Sequence, residues 1–178
     1  MKSKLIFIIS ILLFLQSCNF HKPEDYFGRT TLNVNNLRLV GRTHFEQMIL
    51  GKENSSLYAS IDGKLQKTDN CELYVKTAMT PSYEHYITQI EELKPTADTK
   101  EMIDASLDLF NFILEKHNID YIKIAKLIDA NADKKIIEAA ITKFEEDNFP
   151  IIGIKVNHLF KIAKPYAQKH HLNVTWED

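Results

Sequence analysis

The segment after Asp98 has an amphipathic pattern that limits the possible folds more than any other feature of the chain. Its apolar residues recur every three or four positions, at Met102, Ile103, Leu107, Leu109, Phe110, Ile113 and Leu114. Its polar residues follow the same spacing on the opposite side, at Asp104, Asp108, Asn111 and Glu115. A period near 3.6 residues is typical of a helix with one buried face. The pattern therefore predicts a helix of roughly twenty residues with one side in a core.

Capping signals predict where two of the helices begin. Thr80 followed by Pro81 predicts an N-cap and a first-turn proline, which open a helix that extends to about Lys94. Asp98 and Glu101 have the spacing of a capping box for the helix of roughly twenty residues.

Three more helices are predicted toward the C terminus, at about residues 120–130, 133–146 and 150–170. Pro165 is expected to kink or divide the last of them, because proline cannot donate the helical hydrogen bond. With the two helices before them, these segments make five amphipathic stretches joined by short loops. Such an arrangement predicts a helical bundle over residues 80–171.

Residues 28–79 have a different character and predict β structure. Short alternating runs of apolar and polar residues favour strands at 30–34, 37–39, 57–61 and 72–77, whereas 44–50 fits either a helical turn or a strand. Asp62-Gly63, between 57–61 and 64–65, is typical of a tight hairpin. We therefore expect an α+β fold, mainly an α-helical bundle of about five helices with a small N-terminal antiparallel β region.

The first residues have the features of a secretory signal. Lys2 and Lys4 precede an apolar run from Leu5 to Leu15, and a charged start followed by a short apolar segment is typical of such signals. The competing interpretation is a membrane-spanning helix. The run would extend about 17 Å as a helix, whereas the apolar core of a bilayer is about 30 Å thick. A signal peptide over residues 1–17 is therefore favoured.

The apolar run ends at Leu15-Gln16-Ser17-Cys18, which resembles the lipobox of bacterial lipoprotein precursors. The resemblance covers only residues 1–18. It implies cleavage before Cys18, a diacylglyceryl group on the Cys18 sulfur and an acyl group on its nitrogen. The alternative is an incidental cysteine near an ordinary cleavage site. Two or more acyl chains would hold the protein on a membrane, since each buried methylene contributes about 0.8 kcal/mol.

These observations divide the chain into a signal peptide (1–17), a lipidated tether (18–27) and a single globular domain (28–178), β-rich up to 79 and helical from 80. The membrane is then a partner through the lipids on Cys18, and the expected location is the bacterial cell envelope. Asn19, and not aspartate, follows the cysteine. By the same resemblance this favours the outer membrane, with the domain on its periplasmic or surface face.

Composition narrows the function classes. Removal of residues 1–17 leaves 161 of the 178 residues and takes away Lys2 and Lys4, which changes the net charge from −2 to −4. This length fits one domain with its own core. A mildly acidic chain argues against nucleic-acid binding, and no nucleic-acid partner is expected.

Cys71 is the only other cysteine of the chain. Once Cys18 is acylated, no disulfide can form within the mature chain. The neighbours Asp69 and Glu72 are acidic, which raises a thiol pKa. We expect Cys71 to be buried and unreactive; the alternative is a disulfide with another molecule.

No motif predicts a catalytic, cofactor-binding or metal-binding residue, and none is expected. Asp129, Asn131 and Asp133 stand at alternate positions, as in a calcium-binding loop. Lys134 and Ala140, however, occupy the positions of the glycine and the final glutamate of that loop. We expect a turn between helices with Asn131 or Asp133 as a cap. The pair His170-His171 is expected to lie at an exposed helix end, because adjacent histidines on a helix point in different directions.

Charge is segregated along the helical part. Residues 150–175 contain no acid but four lysines, whereas residues 101–147 contain eleven acids and six lysines. The basic segment either pairs with the acidic helices within the domain or faces a charged partner or anionic head groups.

The function expected from these features is a non-enzymatic binding role in the envelope, either as an assembly accessory or as an immunity-type lipoprotein that blocks a secreted toxin. The alternative is an envelope enzyme whose active site has no recognisable motif. A cleft with two or more converging titratable side chains would favour the enzyme. A flat, charge-patterned face would favour a binding protein.

Overall fold

The computed structural model describes residues 21–175, so the predicted signal peptide and the lipobox-like residues 15–18, with Cys18, lie outside the described part. The helices are α1 (Pro23–Thr31), α2 (Arg42–Glu53), α3 (Cys71–Tyr74), α4 (Thr80–Glu91), α5 (Lys100–Lys116), α6 (Ile122–Asp129) and α7 (Lys134–Lys169). A 3₁₀ segment (Leu32–Leu39) follows α1. A first π-helical segment (Val75–Met79) joins α3 to α4, and a second (His117–Tyr121) joins α5 to α6. The strands are β1 (Leu57–Ile61) and β2 (Lys64–Thr68).

The fold is α+β and mainly helical, with one two-stranded antiparallel sheet in the described residues, which confirms the predicted class. The hairpin lies where Asp62-Gly63 predicted it, and its register pairs Ile61 with Lys64. Asp62 and Gly63 both have positive φ, 51° and 72°. Positive φ at both central residues matches the twist of the flanking strands, which explains the preference for Asp-Gly.

Residues 28–79 are otherwise mostly helical, which corrects the prediction of a β-rich region. The end of α1 and the 3₁₀ segment replace the strands predicted at 30–34 and 37–39. The segment α3 and the first π segment replace the strand predicted at 72–77. The ambiguous residues 44–50 lie within α2.

Burial in these corrected segments follows a helical spacing. Phe27, Thr31 and Val34 are buried at intervals of four and three residues, and Cys71 and Val75 are buried four residues apart. Such intervals place side chains on one side of a helix, whereas a strand buries every second residue. The alternation that favoured strands extended over only a few residues, too few to separate the two periods.

The start of the described chain is packed onto the domain, so the tether expected over 18–27 ends before Pro23, where α1 begins. Tyr26 is buried, and its hydroxyl donates a hydrogen bond of 2.7 Å to the carbonyl oxygen of Lys94. His21 Nε2 lies 3.3 Å from the carbonyl oxygen of Glu92.

Helix α7 is continuous over 36 residues, which corrects the prediction of a break near Pro150 and of a division at Pro165. Each proline removes one N–H donor and leaves the carbonyl four residues earlier without a helical partner. Both prolines are exposed, and so are the residues four positions before them, Glu146 and Lys161. Water can therefore satisfy both carbonyls, and the helix tolerates both residues.

The observed caps differ from two of those predicted. Asn70 caps the helix that contains Thr80, because its Oδ1 accepts from the Leu73 N–H at 2.6 Å, and Thr80 lies inside that continuous helix. Asp98 forms no capping box, since the N-cap of α5 is Thr99. Asp133 caps α7 as predicted, accepting from the Lys135 N–H at 2.7 Å.

Helix α5 forms the main packing element and contacts α1, α4 and α7. Ile103, Phe110 and Ile113 on its apolar side are buried, as predicted. The core continues through α2, α6 and α7, with Phe45, Met48, Ile124, Ile141 and Leu159. No helix between residues 21 and 175 combines the length and the apolar character that a membrane span requires.

Candidate functional site

Cys71 is buried in the core at the start of α3, as predicted. Burial and the nearby Asp129 carboxylate raise the pKa of its thiol to about 12. A thiol with so high a pKa carries almost no reactive thiolate at neutral pH. Cys71 is therefore a core residue and adds no nucleophile to a site.

Asp129 serves as a cap for a helix distant in sequence. Its two carboxylate oxygens accept hydrogen bonds from the backbone N–H groups of Cys71 (2.8 Å) and Glu72 (2.9 Å), and Lys52 Nζ lies 3.2 Å away. Burial works to raise the pKa of Asp129, but these hydrogen bonds outweigh it and lower the pKa below its usual value. The calcium-like spacing at 129–133 is thus a turn between helices with Asp133 as a cap, as expected, whereas the capping of α3 by Asp129 was not predicted. Among residues 21–175, no group of three or more His, Cys, Asp or Glu side chains could hold a metal ion.

The basic segment of α7 pairs with acids inside the domain. Lys155 Nζ lies 2.5 Å from an Asp108 oxygen, and Lys169 Nζ lies 2.7 Å from an oxygen of Asp98. The other Asp98 oxygen is 2.9 Å from His170 Nε2. These contacts support the first of the two interpretations, in which the basic segment pairs with acidic residues within the domain. The hydrogen bonds from Lys169 and His170 lower the pKa of Asp98.

A groove lies between α2, the end of α6 and the start of α7, and we call it the α2–α7 groove. Its volume is about 930 Å³. Its apolar lining comprises Ile49, Leu50, Ile128, Ala132, Ile137 and Ile141, and its charged lining comprises Arg42, Glu46, Lys52, Glu53, Asp69, Lys134 and Glu138. Leu50 is 57% exposed at its edge, so the groove offers apolar surface to a partner.

Two of the cations in the α2–α7 groove are neutralised within the domain. Arg42 pairs with Glu138, and its Nη2 lies 3.4 Å from Oε2 of Glu145. Lys52 pairs with Asp129. By contrast, three exposed acids of the lining form no ion pair within residues 21–175, namely Glu46, Glu53 and Asp69. Lys134 is the one lining cation outside an ion pair among these described residues, so the open charge of the groove is acidic.

A second, smaller cavity lies between α2, the 3₁₀ segment and the start of α4. It has a volume of about 300 Å³, and we call it the His44 pocket. The residues that line it are Asn36, Leu39, His44, Gln47, Tyr74, Ala78, Met79, Ser82, Tyr83 and Tyr86. The first π-helical segment contributes Ala78 and Met79, and π-helical turns are frequent at functional sites.

A cluster of histidines and tyrosines lies beside the His44 pocket, and two of its members, His44 and Tyr83, line the pocket. His44 Nδ1 lies 3.2 Å from the Tyr121 hydroxyl, which accepts a 2.6 Å hydrogen bond from the Gly41 N–H. His117 lies behind His44, stacked on Tyr121 and 4.5 Å from the ring centre of Tyr83. Burial lowers the pKa of His44 to about 4 and that of His117 to about 3, so both imidazoles are neutral at physiological pH.

The cluster could not have been predicted from the sequence. His44 and His117 are separated by 73 residues and lie on elements whose packing no local pattern reveals. The only local signal is the four-residue interval between His117 and Tyr121, which allows their rings to stack on one helical side. No known family model matches the chain, and no curated protein or solved structure is significantly similar to it.

Proposed function

We propose that this chain is a lipid-anchored envelope protein that binds a partner protein and does not catalyse a reaction. The α2–α7 groove is the observation that carries the proposal. Its isoleucines and the exposed Leu50 supply apolar surface, and its unpaired acids Glu46, Glu53 and Asp69 supply a negative rim. An apolar centre with a charged rim is the usual anatomy of a protein interface.

The partner that fits this groove is an amphipathic helix with basic residues beside its apolar face. Grooves between helices bind such segments through apolar anchors on successive turns. Glu46 and Glu53 are seven residues apart on α2, which places them about 10 Å apart along the helix. Basic side chains at the same interval on a partner helix would face both carboxylates. Their attraction would mainly speed association.

The start of the described chain supports a short anchor. His21 and Tyr26 contact the backbone of Glu92 and Lys94. Cys18 precedes His21 by three residues, which span at most about 10 Å when extended. Lipids on Cys18 would therefore hold this end of the domain close to the membrane surface.

The groove lies far from that anchored end. Residues 92–98 contact His21 and, through Asp98, the end of α7 at Lys169. Glu138 of the groove lies 31 residues earlier on the same helix, which corresponds to about 45 Å. The proposed arrangement presents the groove away from the anchor, to a partner beyond the head-group region.

Lipidation is tested by expressing the full chain and the Cys18→Ala variant in bacteria. The cells are fractionated, and the mass of the N-terminal peptide is measured by mass spectrometry. We expect the unchanged chain in the membrane fraction with acyl chains on Cys18, and Cys18→Ala without them. An unchanged chain that is soluble and has an unmodified Cys18 would contradict the anchor.

Groove binding is tested by pull-down from an envelope extract with the double variant Glu46→Lys, Glu53→Lys. We expect it to lose partners that the unchanged domain captures. The matched control is Glu84→Lys, Glu91→Lys, which reverses two exposed acids at the same seven-residue interval on α4 and should retain them. Equal capture by both double variants would contradict the groove assignment.

A second candidate function, an envelope enzyme, has one observation in its favour. His44 is an imidazole at the edge of a cavity, hydrogen-bonded to the Tyr121 hydroxyl, and histidine is the side chain most often used for proton transfer in catalysis. No activated nucleophile accompanies it in the described part of the pocket lining, where the alcohol of Ser82 donates to the Ala78 carbonyl at 3.2 Å. Binding therefore remains the function that the geometry supports best.

A further inference from the structure

We propose that the His44 pocket binds an uncharged, hydroxylated ring, the chemistry of a neutral sugar unit. This site is separate from the α2–α7 groove and does not depend on lipidation of Cys18. Three features of the pocket carry the inference: its lack of charge, its pre-oriented hydrogen-bonding groups and its aromatic walls.

The described lining of the pocket contains no Asp, Glu, Lys or Arg, although these residues make up 26% of the chain. A charged ligand would therefore enter without a counter-charge, and burying an unpaired charge is costly. Seven of the ten lining residues nevertheless carry a side-chain hydrogen-bonding group. A purely apolar ligand would leave the donors and acceptors still open among these groups unsatisfied, at about 1–3 kcal/mol for each that is buried. The composition thus favours a neutral ligand rich in polar groups.

The hydrogen bonds of the Tyr121 hydroxyl favour one tautomer of His44. The Gly41 N–H donates to the Tyr121 oxygen, so the Tyr121 hydroxyl proton is free to donate to His44 Nδ1. In a neutral imidazole the proton then resides on Nε2. Because Nδ1 is already engaged, the Nε2–H is the donor that remains for a ligand oxygen.

The tyrosines supply both donors and flat faces. The Tyr86 hydroxyl accepts from Asn36 Nδ2 at 2.9 Å, which leaves its own proton available. Tyr83 and Tyr86 meet edge to face, with 5.8 Å between ring centres and 83° between planes. Burial raises the pKa of Tyr83, so its hydroxyl stays protonated. A ring with C–H groups on its faces and hydroxyls on its edge uses the aromatic faces and the donors together.

The size of the pocket suits one ring. Its volume of about 300 Å³ lies at the lower end of the range for ligand pockets. A single ring with its substituents fits this space, whereas a long chain would extend out of it.

Binding is tested by NMR titration of the full chain carrying Cys18→Ala. The probes are neutral methyl glycosides of glucose, galactose and mannose, together with N-acetylglucosamine. Glucuronate and glucosamine are the charged counterparts. We expect at least one neutral probe to shift the ring resonances of Tyr74, Tyr83 and Tyr86. Its charged counterpart should bind at least about tenfold more weakly.

Variants locate the binding. Gln47 is an exposed residue of the lining, and Gln47→Ala should weaken binding about threefold to tenfold through loss of its hydrogen bonds. Gln168→Ala removes another exposed glutamine, on α7, and should leave binding unchanged. The proposal is overturned if no neutral probe shifts the tyrosine resonances, if the charged probes bind as well as the neutral ones, or if both glutamine variants bind alike.

Discussion

The ring of His117 stacks on the ring of Tyr121, with 4.0 Å between their centres and 13° between their planes. The Tyr121 hydroxyl reaches beyond the stack to Gly41 and His44. Both His117 nitrogens, by contrast, are buried without a hydrogen-bond partner in residues 21–175. Leaving buried polar atoms unpaired is destabilising. The stack therefore combines favourable ring contacts with an unfavourable polar burial.

Replacing His117 with phenylalanine should stabilise the domain. The substitution His117→Phe keeps a flat ring against Tyr121 and removes both unpaired nitrogens. We expect the free energy of unfolding in urea at pH 7 to rise by about 1–3 kcal/mol. His117→Ala, which removes the stack as well, should lower it by about 2–4 kcal/mol. A loss of stability in His117→Phe would contradict the assignment of the unpaired nitrogens as destabilising.

Acid should destabilise the domain through His44 and His117. Their folded pKa values, about 4 and about 3, lie below the unfolded value of about 6.5. Between these limits the unfolded chain binds more protons, so the stabilisation is complete above about pH 6.5 and is lost as the pH falls toward the folded pKa values. We expect each histidine to contribute a slope of up to about 1.4 kcal/mol per pH unit.

Urea unfolding at a series of pH values between about 7 and 5 measures that slope. In His117→Phe, the part that His117 contributes should disappear. His158→Phe, at an exposed position of α7, is the control and should keep the full slope. Equal slopes in the two variants would contradict the assignment to His117.

The helical part could be predicted because the apolar faces of its helices extend over several turns. Residues 102–114 cover more than three turns, and Ile103, Phe110 and Ile113 are all buried. Before Thr80 the segments are short, so apolar residues at intervals of three and four resembled strand alternation. Only Asp62-Gly63 carried a turn signal strong enough to place β structure correctly. Pro150 was misleading because α7 continues through it at an exposed position, where water can satisfy the carbonyl of Glu146.

The candidate sites were beyond local prediction. The α2–α7 groove brings Glu46 and Lys134 together from 88 residues apart, and the His44 pocket brings Asn36 to Tyr86 from 50 residues apart. Neither contact follows from periodicity or capping signals. Such sites depend on how helices cross, which side-chain shape decides.

Removing the carboxylate of Asp129 should destabilise the start of α3. Asp129→Ala leaves the Cys71 and Glu72 N–H groups unpaired and removes the partner of Lys52. We expect the free energy of unfolding to fall by about 2–4 kcal/mol. Asp133→Ala, which removes only the local cap of α7, should cost about 1 kcal/mol. Chemical denaturation compares the two, and equal losses would contradict the long-range cap.

Cys71 should resist thiol reagents in the folded state. Its side chain is fully buried and the pKa of its thiol is about 12, so very little thiolate is present at pH 8. In Cys18→Ala, where Cys71 is the only thiol, we expect a colorimetric disulfide reagent to react slowly without denaturant and quickly in urea. Adding Lys67→Cys on the exposed β2 strand should restore a fast phase in the native protein. Rapid reaction of Cys71 itself would show that α3 opens readily.

Two glycine-to-alanine substitutions should change stability in opposite directions. Gly41 has φ of 89°, and an added Cβ would lie 2.7 Å from Cζ of Phe149 and 3.1 Å from Oε1 of Glu145. Alanine there would introduce both backbone strain and a steric clash, and we expect the free energy of unfolding to fall by about 2–3 kcal/mol.

Gly153 lies within α7, and its added Cβ would meet nothing within 4 Å. Gly153→Ala should therefore raise the free energy of unfolding by about 0.5–1 kcal/mol. Thermal and urea unfolding of the two variants test the pair, and a destabilised Gly153→Ala would show that the open face beside Gly153 is occupied.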